Sequence, residues 1–154
     1  MTRFFRLLPI CLALATVQPA LAQDASLSPV SGSAALASGF TPDPYEVEIQ
    51  SGGALDARAA GGPSCTGFVS ASPSFRLFYS AGEGAPLVLA ITGPQAGLLL
   101  VNTPDGRWTC ASSGSGARLR LEAPQTGQYD IWAGNGEAGA PGAASLQVSE
   151  HAAP

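Results

Sequence analysis

Past Tyr45 this chain never sustains a helical stripe. Glycine, proline and serine cut it into short apolar runs, and no window of about eleven residues keeps the 3.6-residue period of an amphipathic helix. With 19 Gly and 13 Pro in 154 residues, turns come too often for anything but short strands. "YEVEIQ" sets the pattern: Tyr45, Val47 and Ile49 fall on one face, Glu46, Glu48 and Gln50 on the other. That period of two marks a half-buried strand. "ALDARA", "TGFVS", "SFRLFYS", "LVLAIT", "GLLLVN", "RWTC", "ARLRLE", "QYDIWAG" and "ASLQVSE" follow, nearly all separated by turn residues. "LVLAIT" and "GLLLVN" are apolar at successive positions, as expected of central strands covered on both faces. "ARLRLE" is a face strand, with Leu119 and Leu121 inward and Arg118, Arg120 and Glu122 outward. The pattern predicts a single all-β domain over 45–150, an antiparallel β-sandwich of jelly-roll-like form.

The N-terminal residues set the compartment. Arg3 and Arg6 precede an apolar run from Leu7 to Val17, then Ala20-Leu21-Ala22. Basic head, apolar core and small residues form the pattern of a secretory signal peptide over 1–22. The apolar core is shorter than the about 20 residues of a membrane span. The expectation is an exported protein, periplasmic or secreted. Residues 23–44, rich in Ser, Ala, Pro and Gly without a clear period, read as a flexible segment, and 151–154 as a tail.

Cleavage would leave two cysteines, Cys65 and Cys110. In an exported domain these are read as a disulfide, the alternative being two buried free thiols. The loop closed is about 45 residues, worth roughly 4 kcal/mol by chain entropy. The chain has 7 Lys+Arg, all arginine, against 11 Asp+Glu. Loss of Arg3 and Arg6 takes the net charge to about −6. Nucleic acid and anionic lipid, which need a positive patch, are excluded as partners.

"LLLVNTPDGRWTC" reads as a hairpin. Pro104 suits the first corner position, and Asp105-Gly106 is a strong turn signal. The succession Cys-Thr-Gly-Phe, "SPSFRLFYSAGEGAPLVLAI", "LLLVNTPDGRWTC", "APQTGQYDIWAGN" and "ASLQVSE" resembles small exported bacterial β-sandwich domains, those like the bacterial pre-peptidase C-terminal domain. Alphaproteobacterial relatives of this kind often carry a serine peptidase label. The resemblance covers roughly residues 39–150. It implies a β-sandwich, an association with peptidases, and a loop after the tryptophan–cysteine pair where two acids could hold calcium. Here those positions are Ser112 and Ser113, and neutral hydroxyls replace carboxylates poorly on a hard cation.

The peptidase label was weighed against the residues. The only histidine is His151, near the end of the chain; there is no G-x-S-x-G, and Ser64 in "GPSCTG" adjoins a cysteine. A Ser-Lys mechanism has no lysine. No catalytic residue and no cofactor are expected, and the reading is a non-catalytic binding or accessory domain with protein or glycan partners. Serine peptidase and calcium-stabilised module are the alternatives. Candidate ligand contacts are Trp108 and Trp132, whose rings can stack on a ligand or fill a core, with Arg107 and Asp130. Asp105 is a weak metal candidate, read first as a turn-former. "GNGEAGAPG" (134–142) is read as a long hairpin connection.

Overall fold

A computed structural model describes residues 22–114 and 116–151. The expected signal peptide, apart from Ala22, and the tail beyond His151 lie outside the described residues. The strands are β1 (Ser33–Ala37), β2 (Tyr45–Ser51), β3 (Leu55–Asp56), β4 (Phe68–Val69), β5 (Phe75–Ser80), β6 (Leu87–Thr92), β7 (Leu98–Asn102), β8 (Trp108–Ser112), β9 (Gly116–Leu121), β10 (Gly127–Gly134) and β11 (Gly142–Ser149). One short helix, α1 (Arg58–Gly61), lies between β3 and β4.

The strands stack as a sandwich. One layer runs β1–β5–β10–β7–β8, the other β2–β11–β6–β9. A parallel bridge between Ala133 and Ser51 links them. Alternation fills the space between: Phe75, Leu77 and Tyr79 from β5, Tyr129 and Ile131 from β10, Leu87, Leu89 and Ile91 from β6, and Leu146 and Val148 from β11 form one core. Tyr79 and Tyr129 meet edge to face, their centroids 6.5 Å apart. Tyr129 Oη also ties down the approach to β10, donating to Gln125 O (2.7 Å) and accepting from Gln125 N (2.8 Å).

On the outer face of the second layer, Val88 and Ala90 are buried although polar neighbours surround them. They sit in register with Arg120 and Arg118. The aliphatic stems of such arginines cover apolar surface while the guanidinium stays in water.

Three features depart from the sequence reading. The sandwich is mixed rather than wholly antiparallel, since β1 runs parallel to β5 and β10 parallel to β2. A parallel pair needs a long crossover, and residues 38–74 supply one for β1 and β5. "ALDARA" is a two-residue strand followed by a helical turn. Asp56 Oδ1 accepts the Arg58 amide at 2.9 Å, and both carboxylate oxygens accept from the Arg58 guanidinium, so local bonding bends the chain away from an extended path.

The third departure is the segment read as flexible. Residues 33–37 form β1, so the folded domain begins well before Tyr45. The anchors are charges far along the chain. Arg76, on the outer face of β5, donates through Nε to Asp130 Oδ1 (2.6 Å) and through Nη2 to the carbonyls of Ala25 (2.6 Å) and Leu27 (2.9 Å). Gln128 donates to the other Asp130 oxygen at 2.7 Å. "SAALA" is too small and too uniform to show a period, and its partners in β5 lie far along the chain, Ser33 opposite Arg76 and Ala37 opposite Ser80, so no local signal announces it.

Glu150 holds the far end of this segment. Its carboxylate accepts from Gly39 N (2.6 Å) and Tyr79 Oη (2.5 Å), while its own amide donates to Asp43 Oδ2 (3.1 Å). Burial is the largest single influence on this acid and works to raise its pKa. The bonds from Ser38, Tyr79 and Gly39, with the charge of His151, together outweigh it and hold the carboxyl below its ordinary 4.5. Tyr79 is pushed up to about 12, by burial first and then by the bond to Glu150.

Two outcomes are expected. Arg76→Ala strands a buried carboxylate, so it should cost about 3–5 kcal/mol in urea unfolding and make residues 22–31 protease-sensitive. The stability contributed by Glu150 is present above its unfolded pKa and lost as pH falls through its lower folded value. That of Tyr79 is present below pH 10 and lost as pH rises through about 12. Melting temperature against pH should therefore fall at both ends, and Glu150→Gln should flatten the acid side.

Candidate functional site

Residues 53–69 leave the sandwich and fold back over the outer face of β7 and β10. Their pairing is slight, Leu55 with Val69 and Asp56 with Phe68. What fixes them is a second apolar cluster and a covalent bond. Ala57, Cys65 and Val69 pack on Leu98, Leu100 and Trp132, and Cys65 is disulfide-bonded to Cys110 on β8, Cα to Cα 5.8 Å. Two glycines permit the approach. A Cβ at Gly61 would lie 2.3 Å from Cys65 Sγ, and one at Gly134 would lie 2.9 Å from Phe68 O.

This arrangement decides the aromatic candidates. Trp132 is fully buried beneath the folded-back segment and offers no face to a ligand. Its strand is central, covered on both sides. Trp108 is half-buried and tilted against it, centroids 5.0 Å apart, so the pair is core and its rim. Asp130 is buried in the ion pair with Arg76 and serves the fold. Arg107 is exposed but bound to Asp105 at 2.6 Å. Asp105 also accepts from Thr103 Oγ1 at 2.5 Å. The Thr103 hydroxyl first, then Arg107, holds its carboxyl below the ordinary value. Its two oxygens are thus engaged within the turn. Among the described residues no three His, Cys, Asp or Glu side chains gather as metal ligands.

Ser64 is exposed in the turn before Cys65. His151 is the last described residue, its Nε2 3.5 Å from Asp43. Among the described residues no hydroxyl is bonded to the His151 ring.

A cleft of about 550 Å³ opens elsewhere, at one end of the sandwich. Its walls are the β6–β7 turn (Pro94, Gln95, Gly97), the β8–β9 turn (Ser112, Ser113, Gly114), the start of the β10–β11 connection (Asn135, Gly136, Glu137) and Thr66. That volume lies in the range of small-ligand sites. Main-chain bonds brace it: Ser113 N to Gly97 O (2.8 Å), and Gly97 N to Gly134 O (3.0 Å). Asn135 is its buried post. Its main chain exchanges two bonds with Phe68, its amide nitrogen donates to Ala140 O, and its Oδ1 accepts from Glu137 N at 3.1 Å. A second hollow of about 320 Å³, bordered by Asp56, Arg58 and Phe68, shares Thr66 and Gly136 with the first. The disulfide ties the two sides together, because Cys65 adjoins Thr66 and Cys110 lies two residues before Ser112.

The sequence reading placed Ser112 and Ser113 in a loop of interest for a metal it lacks the acids to hold. It took 134–142 for a connection and singled out neither Gln95 nor Asn135. Their shared position depends on three turns from different hairpins, and the nearest sequence signal was the density of Asn, Gly and Gln in those turns. Chemically the cleft offers hydroxyls, amides and one carboxylate, with neither a histidine nor a lysine in its walls. Searches against protein-family models and against curated proteins give no match for this chain.

Replacing both Cys65 and Cys110 by serine should lower stability by roughly 4 kcal/mol, read from guanidinium unfolding followed by tryptophan fluorescence. A shift of less than about 1 kcal/mol would mean that packing alone holds residues 53–69 in place.

Proposed function

We propose that this protein is a non-catalytic binding or accessory domain, exported to the periplasm or beyond, that takes a protein or glycan partner in the cleft between the β6–β7, β8–β9 and β10–β11 turns. The observation that carries this reading is the cleft itself, a concavity with hydroxyl and amide side chains in its walls, built by three turns on the sandwich. The pattern of residues 1–22 supports export, and the resemblance to pre-peptidase C-terminal domains supports an accessory role beside an enzyme. Among the described residues no hydroxyl is bonded to the His151 ring, which faces Asp43, and this favours binding over hydrolysis, since acyl transfer needs nucleophile and base within hydrogen-bond reach.

The test has two arms. Purified protein incubated with casein should release no peptides above the level seen with His151→Ala. Release that disappears in both Ser64→Ala and His151→Ala would replace binding with proteolysis. In a bacterial host, a fusion carrying residues 1–22 should appear in the periplasm or medium and one lacking them in the cytoplasm.

A further inference from the structure

We infer that the ligand of this cleft is a neutral oligosaccharide, held by the side chains of Thr66, Gln95, Ser112 and Ser113 and extending toward the ring of Phe68. This rests on the binding-domain reading and goes on to name the ligand class.

The first argument is electrostatic. Among the described residues Glu137 is the only charged side chain in the walls of the larger hollow. The smaller one has Asp56 and Arg58, which neutralise one another across a 2.5 Å contact. A phosphate or uronic acid therefore finds no spare cation and one repelling carboxylate. The second argument is polarity. Thr66, Gln95, Ser112 and Ser113 are exposed at the cleft; the three hydroxyls carry both donor and acceptor capacity, and Gln95, whose Oε1 accepts from Asn135 Nδ2 at 3.5 Å, has its Nε2 to donate. Sugar hydroxyls have the same double character, whereas an acyl chain has neither.

The third argument separates sugar from peptide. A peptide that adds to a sheet is held by main-chain bonds from an open edge. Around this cleft much of the main chain is engaged, through Ser113 with Gly97, Gly97 with Gly134, Phe68 with Asn135 and Ala57 with Gly67. The side chains remain, and they suit a ligand that brings its own hydroxyls. Phe68, half-buried at the border of the second hollow, presents an apolar ring of the kind that packs on the C–H face of a pyranose. The two hollows share Thr66 and Gly136, so a chain of several sugars can run through both.

The experiment is a titration of the ¹⁵N-labelled protein with maltohexaose, cellohexaose and chitohexaose, with dextran sulfate as polyanion and a twelve-residue Gly-Ser-Thr peptide as polypeptide. At least one neutral hexasaccharide should shift the amides of Gln95, Ser112, Gly136 and Phe68. Ser113→Trp, an exposed change that fills the cleft, should abolish those shifts while leaving the rest of the spectrum in place. Gln95→Ala should weaken binding about tenfold. Shifts at these amides from the peptide or the polyanion but from none of the sugars would overturn the ligand class and leave the binding reading standing. No shift at these amides from any probe would overturn both.

Discussion

The Cys65–Cys110 bond is the constraint on which the shape of this molecule turns. The sandwich core would form from alternation alone, because each of its strands buries one face against the opposite layer. The folded-back segment is different. Its two strands are two residues each, its helix is four residues long, and its own contribution to the outer cluster is Ala57, Cys65 and Val69. Such a segment has little apolar area with which to offset the entropy of ordering its backbone, about 1–2 kcal/mol per residue. A cross-link worth roughly 4 kcal/mol is large on that scale. It keeps Trp132 dry and sets Thr66 opposite Ser112 and Ser113, so the burial of an aromatic side chain and the width of the cleft have one cause.

The N-terminal segment is held by another kind of force. Arg76 gathers a carboxylate and two carbonyls, and Glu150 gathers an amide and a phenol. Both are charged groups whose bonding capacity is met by this segment and its neighbours, beside the packing of Ala34, Leu36 and Phe40 on the core. Removing Arg76 leaves the Asp130 carboxylate without its counter-ion in a poorly solvated place, and removing Glu150 leaves the Tyr79 hydroxyl and the Gly39 amide without their acceptor, so these two residues fasten the segment against the sheet and the C-terminal end. Disulfide and clamps together turn two weakly patterned stretches into parts of a rigid frame.

How much of this was legible follows from the range of each interaction. β2, β5, β6, β7 and β10 were readable because side-chain alternation and double-sided burial are local patterns, and the Cys65–Cys110 pairing followed from there being two cysteines past the expected signal peptide. β1 was not readable, because "SAALA" has no period and takes its place from Arg76 and its neighbours. The role of Asp130 was hidden for the same reason: its partner lies 54 residues away, and an aspartate in a strand looks like a solvated one. Trp132 could be core or surface from alternation alone, and the answer came from residues 53–69, whose fold-back no periodicity encodes. The cleft was least legible of all, since Gln95, Ser113 and Asn135 are ordinary turn residues until three hairpins bring them to one place.

The most direct measurement is hydrogen–deuterium exchange of the oxidised protein against the protein reduced by a dithiol. If the disulfide holds the folded-back segment while the sandwich stands on its own packing, reduction should speed exchange across residues 53–69 and at the Trp132 indole, with β2, β6 and β11 unchanged. Exchange that rises equally in both layers, or does not change in residues 53–69, would contradict it.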